Sequence, residues 1–153
     1  MSDYTFNDGL TFGQSQTLAN GLNYFATTSF ASNVAGPFTN QALPSNVVLQ
    51  RCGNIVSLSA PQTFYTGNGT AAIITFSATI PSGFRPANPV ASGVLCLSNA
   101  VQLPGQVQLA NSGSIQIDVA VSAANGTQGN AFTSSTSANG TGFAAFCTTY
   151  SVT

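Results

Sequence analysis

Ser114-Ile115-Gln116-Ile117-Asp118-Val119-Ala120-Val121-Ser122 is the stretch that decides the fold class of this chain. Ile115, Ile117, Val119 and Val121 alternate with Gln116, Asp118 and Ala120, a strict period of two. Side chains on a strand point alternately to opposite faces, so this pattern makes a strand with one buried face and one less apolar face. Segments of similar composition flank it: Asn23–Phe30, Val47–Arg51, Ile55–Ala60, Ala71–Ile80, Gly93–Leu97, Gln106–Leu109 and Gly142–Val152, with Ser114–Ser122 itself. They are rich in Val, Ile, Phe and Thr and bounded by Gly, Pro and Asn, as strands are. Ala71–Ile80 is nearly all apolar or hydroxyl-bearing, as a strand covered on both faces would be. Asn-Gly recurs at Asn20, Asn68, Asn125 and Asn139, a dipeptide that tolerates the positive φ of tight hairpin turns. About eight strands with short turns predict an all-β fold, an antiparallel two-sheet β-sandwich of jelly-roll order. Residues 1–22 read as an N-terminal arm or first irregular strand, 23–153 as the sandwich domain, and Ala123–Gly140 as its longest loop.

Composition bounds the function. Five side chains of the 153 are charged (Asp3, Asp8, Arg51, Arg85, Asp118), and Lys, Glu, His and Trp are absent. Charged residues are 3% of the chain, against about 25% in an ordinary soluble domain. A Ser or Cys nucleophile would find no His or Lys as its base, and a glycosidase pair would have Asp118 and two acids from the arm. No phosphate loop with its Lys is present. The chain is therefore expected to be no enzyme and to carry no cofactor. Two isolated arginines and a net charge of −1 make no nucleic-acid footprint. Without His, stability is expected to vary little between roughly pH 5 and pH 9.

Met1-Ser2-Asp3-Tyr4-Thr5 has neither a basic nor an apolar leader region, so no signal peptide is expected. Mean hydropathy is +0.23, yet no apolar run approaches the roughly 18–20 residues of a spanning helix. The reading is a soluble protein with no membrane insertion. Cys52, Cys96 and Cys147 are widely spaced, with no Cys-x-x-Cys and no His to complete a metal site. They read as small buried hydrophobes of a reducing compartment, with one disulfide between two of them left open.

A few residues stand out against this background. Arg85, between Phe84 and Pro86, is either an interface residue or the anchor of its own turn. Asp118, mid-strand, would be costly if buried and unpaired. Arg51 or Arg85 is its natural partner in a structural ion pair, within the chain or across an interface. Three Asn-Gly-Thr triplets match the glycosylation sequon but are explained by turns. Tyr65 and Tyr150 are candidates for ligand stacking, as are Tyr4 and Tyr24, while most of the eleven Phe belong to a core. Edge strands commonly carry Lys against unwanted pairing, and this chain has none, which favours an oligomer that hides its edges.

Ile80-Pro81-Ser82-Gly83-Phe84-Arg85-Pro86 closes a strand and is followed by Gly93-Val94-Leu95-Cys96-Leu97, Gln106-Val107-Gln108-Leu109 and Ser112-Gly113-Ser114-Ile115-Gln116-Ile117. An aromatic last strand ends in Tyr150. This arrangement, over roughly Ala71–Val152, resembles the head domains of viral fibre and spike proteins and of phage tail or baseplate proteins. Those heads are similar to jelly rolls of the tumour-necrosis-factor and complement-C1q type. The resemblance implies a homotrimeric virion protein, a capsid-associated, spike or fibre-head component made in the host cytoplasm, whose partners are itself, other virion proteins and a host-surface glycan or receptor. A tail fibre normally has a long repetitive shaft before its head, whereas a short arm precedes these strands.

Overall fold

The computed structural model describes residues 25–38, 43–67, 73–119, 132 and 139–152. Among these, ten strands form one antiparallel sheet: β1 (Phe25–Ala35), β2 (Leu43–Cys52), β3 (Ile55–Ala60), β4 (Thr63–Tyr65), β5 (Ile73–Phe76), β6 (Val90–Ser98), β7 (Val101–Leu109), β8 (Ile115–Val119), β9 (Thr141–Phe143) and β10 (Phe146–Ser151). Their order across the sheet is β10-β3-β2-β1-β5-β8-β7-β6-β9-β4.

The two ends of that sheet are the same piece of structure. β3 pairs with β10 from Ile55↔Ser151 to Ala60↔Phe146, and β4 pairs with β9 from Thr63↔Phe143 to Tyr65↔Thr141. The register is shared, and only Pro61-Gln62 and Ala144-Ala145 intervene. A single two-stranded ribbon therefore bends at those links and joins both ends, so the sheet curls back on itself. Strands that pass from one wall to another in this way make the corners of barrel-like sandwiches. β1, β2 and β3 are successive neighbours, and β5 returns beside β1; β6, β7 and β8 repeat the plan, and β9 returns beside β6. Each set is a Greek key, and the β5–β8 pairing joins the two. The antiparallel β-sandwich or barrel class thus stands. Among the described residues β1 lies between β2 and β5, so the pairing draws two Greek keys in succession.

The inward faces make one core. Ile115, Ile117 and Val119 are buried as their alternation requires, and meet Val34, Leu49, Val56, Leu58, Ile74 and Leu109. Phe143 links Phe76 and Phe146, with ring centroids 5.8 and 5.9 Å away. Each such aliphatic or aromatic side chain contributes about 1.5–3 kcal/mol when buried, which is how a chain almost without charge holds its fold.

The structure departs from the sequence reading at β5. Among the described residues of Ala71–Ile80, which begin at Ile73, the strand ends at Phe76, and Ile73 is exposed while Ile74 is buried. At Ser77 side chains take over the ladder: Asn33 N–H donates to Ser77 Oγ and Ala78 N–H donates to Ser32 Oγ. The chain then leaves the sheet, so two covered faces are not needed. The tight turns also differ. β2 and β3 turn at Gly53-Asn54, and β6 and β7 at Asn99-Ala100, where φ is +50° and +60°. Of the Asn-Gly pairs, Asn139-Gly140 lies in the chain leading into β9, and those at Asn20, Asn68 and Asn125 fall outside the described residues. So do the arm over 1–22, with Asp3, Asp8 and Tyr4, and Tyr24.

Candidate functional site

Four of the sequence-predicted residues fall into two places, and Tyr65, on β4, belongs to neither. The first is a latch under the 3-10 turn Ser82–Phe84. Arg51, on β2, donates from Nε to the Gly53 carbonyl at 2.8 Å and from a terminal nitrogen to the Gly83 carbonyl. Arg85 Nε donates to the Ile80 carbonyl at 2.9 Å, and Ile80 N–H donates to the Gly113 carbonyl. Tyr150, buried on β10, donates its hydroxyl to the Phe84 carbonyl at 2.8 Å. Burial pushes its phenol well above the ordinary tyrosine value. Tyr150 thus ties β10 to the 3-10 turn, and its side chain is buried. Tyr150→Phe keeps the packing and strands one carbonyl, so it is expected to cost about 1 kcal/mol and lower the melting midpoint by about 3 °C. Thermal unfolding followed by circular dichroism checks this. Tyr65 is half-buried, edge-on to Phe38 with centroids 5.9 Å apart.

The second place is the outer face of β6, β7, β8 and β5. Register aligns Gly93, Gln106, Asp118 and Ile73 in one row across four strands, and Ala91, Gln108, Gln116 and Thr75 in the next. Here Asp118 meets not an arginine but an amide: Gln108 Nε2 donates to its Oδ2 at 2.7 Å. The same nitrogen reaches Gln106 Oε1 at 3.3 Å. Asp118 Oδ1 is buried and accepts no hydrogen bond from the described residues. Burial raises the Asp118 carboxyl above the ordinary carboxylate value. Within one chain Asp118 thus meets Gln108 and neither arginine, while Arg51 and Arg85 both donate to backbone carbonyls.

Beside this cluster, where β6 begins and β7 ends, lies an open cleft of about 300 Å³. Val90, Ala91 and Leu109 are its apolar part, and Gln106, Gln108 and Ser114 its polar part. The glutamines were legible: in Gln106-Val107-Gln108-Leu109 the period of two buries Val107 and Leu109 and turns both amides outward. At the opposite end of the same hairpin the surface is apolar. Leu95 is 44% and Val101 56% exposed, and Pro104 pairs with Leu95.

The cysteines do not share one environment. Cys96 is buried under Gly105, while Cys52 and Cys147 are exposed, and all three are free thiols. Cys147 Sγ sits 3.2 Å from Ser57 Oγ. The expectation of three buried cysteines thus holds for Cys96 alone, because Cys52 and Cys147 occupy outward positions of β2 and β10. Among the described residues no group of His, Cys, Asp or Glu is placed to hold a metal ion, and no helix is long and apolar enough to cross a membrane.

No protein-family model matches the chain, and no curated protein matches it. Among solved structures the chain is similar to a reovirus attachment protein, sigma1, crystallised in complex with alpha-2,3-sialyllactose, at 14% sequence identity and a TM-score of 0.43, over 89% of this chain and 69% of that one.

Proposed function

We propose that this chain is a non-enzymatic component of a virus particle, a head module of the fibre or spike kind that assembles as a homotrimer. The observation that carries the assembly is the apolar tip of the β6–β7 hairpin, where Leu95 and Val101 stand exposed on a surface with almost no charge. The register sets Leu95, opposite Pro104, on one face of the hairpin and Val101, opposite Ser98, on the other, so both faces of the tip offer a large apolar group to a contact. A second feature supports it. Among the described residues the outermost strands are β10 and β4, and β10 (Phe-Cys-Thr-Thr-Tyr-Ser) bears no charge to discourage pairing. The viral and trimeric parts rest on the resemblance of the Ile80–Pro86 element and the strands after it to virus head domains. The same resemblance, and not the strand order, is what links the chain to the tumour-necrosis-factor and C1q type and to a place in the virion.

Light scattering on a size-exclusion column tests the assembly. The expected mass is that of three 15.5 kDa chains, falling to one chain when Leu95→Asp and Val101→Asp are combined. A single-chain mass for the unaltered protein sinks the trimer.

A second reading, a head that binds a host glycan or receptor, is favoured by the cleft between Gln106, Gln108 and Ser114. It lies at the other end of the hairpin from the apolar tip, so the two roles do not compete for one surface.

A further inference from the structure

We propose that the Gln106–Gln108 cleft is a subsite for a neutral, hydroxyl-rich ligand, the pyranose ring of an uncharged glycan; this rests on the receptor-binding reading above. The two amides carry the inference. Gln108 Nε2 is held between Asp118 Oδ2 and Gln106 Oε1, which fixes both side chains in one orientation. That arrangement leaves the Gln106 amide nitrogen as a donor and the Gln108 carbonyl oxygen as an acceptor, neither with a hydrogen-bond partner among the described residues. A sugar hydroxyl both donates and accepts, so neighbouring hydroxyls on one ring match a fixed donor beside a fixed acceptor. Ser114, whose hydroxyl also reaches Ser112, adds a third polar group, and Pro89, Val90 and Ala91 give the apolar patch on which the C–H face of a pyranose rests. A volume of about 300 Å³ is at the small end of ligand sites.

Charge decides the class of sugar. Among the described residues no cation lines the cleft, and Arg51 and Arg85 are engaged at the latch. The charged group in contact with the lining is the Asp118 carboxylate, through Gln108. A sialylated or phosphorylated ligand would bring a second anion toward it with nothing to offset the repulsion. Asp118 is a positioning residue here: it holds Gln108 and discriminates against anions without touching the sugar. With so few polar groups and no aromatic in the lining, a single subsite binds weakly. Three copies on one trimer would raise the effective strength by avidity.

The test uses the full chain on an array that presents lactose and 3′-sialyllactose, backed by titration in solution. Lactose is expected to bind better than its sialylated counterpart. Gln108→Leu and Gln106→Leu should each weaken lactose binding at least tenfold. Ala91→Trp, which fills the cleft and leaves the amides in place, should abolish it, with the melting midpoint and molar mass retained. Asp118→Asn should narrow the preference for lactose over sialyllactose several-fold, a change that a merely structural role would not produce. Lactose binding that survives all three cleft variants overturns the site and leaves the receptor-binding reading standing. Stronger binding of sialyllactose by the unaltered chain overturns the neutral class. Binding of neither sugar overturns the inference, and an array of wider composition then decides whether the receptor-binding reading falls with it.

Discussion

Alanine at Gly142 is expected to abolish the fold or lower its melting midpoint by about 10 °C or more. Gly142 lies mid-strand in β9, just before the bend at Ala144-Ala145, with φ at +148°. Strand β4 passes directly over it. A Cβ there would overlap the Thr63 carbonyl oxygen, and would come within 2.8 Å of the Thr63 carbonyl carbon and 2.9 Å of Phe64 Cα. All three are backbone atoms, so no rotamer change relieves the clash. Either the β4–β9 pairing opens or the corner moves, and Phe143, the centre of the aromatic cluster, moves with it. Overpacking plus a backbone conformation foreign to L residues costs about 3 kcal/mol or more, from a total that for most domains is about 5–15 kcal/mol. Gly93→Ala is the control. Its Cβ would meet nothing within 4 Å, so its midpoint should stay within the small range of surface substitutions. Urea denaturation of both variants reads the difference. If Gly142→Ala is as stable as Gly93→Ala, the ribbon does not close the barrel as described.

That corner is also where sequence reading ran out. Strands announce themselves through alternation, and each of the eight segments read from the pattern overlaps an observed strand. The bend in Gly142–Val152 has no such mark. Ala144-Ala145 is neither Gly nor Pro, and Ala144 N–H donates to the Leu95 carbonyl, one step beyond the Cys96↔Phe143 pair of the β6–β9 ladder, a non-local contact. Strand order is non-local in the same sense, which is why alternation yields the antiparallel all-β class and not the order in which the strands pair. At the site, the pattern placed Asp118 on an outward face, but charge bookkeeping then paired it with an arginine. The latch shows why the pair does not form within one chain. Backbone carbonyls at a tight turn compete for guanidinium groups as well as carboxylates do, and Gly53, Ile80 and Gly83 hold Arg51 and Arg85. An amide on the neighbouring strand, one row away in register, was the better partner for Asp118, and Gln residues carry no charge to draw the eye.

Stability should fall steeply on the alkaline side and hold on the acid side. Cys96 is fully buried, and burial first, then the nearby Asp118 carboxylate, pushes its thiol up to about 12 from an ordinary value of 9.0. Between those values the unfolded chain gives up the proton and the folded chain keeps it. The unfolded state then binds fewer protons, so stability declines as pH rises. The contribution is fully present below pH 9.0 and gone above about 12, a span worth up to ~4 kcal/mol at about 1.36 kcal/mol per pH unit. Tyr150 acts with the same sign, beginning at its ordinary value of 10.0. The raised Asp118 carboxyl also has this sign: its contribution is present below the ordinary carboxylate value and lost as pH rises through the folded one. None of these three shifts rewards deprotonation, and the chain has no His to charge in acid. Chemical denaturation at a series of pH values should therefore show a midpoint that is retained toward about pH 3 and drops between roughly pH 9 and pH 11. Cys96→Ala should remove the larger part of that drop and Tyr150→Phe the remainder. The first of these substitutions has its own cost in packing against Gly105, so the comparison is of slopes against pH and not of absolute midpoints. A midpoint that stays level to about pH 11 in the unaltered chain would mean that water reaches the thiol, and that the wall formed by β6 and β7 is open where the structure has it closed.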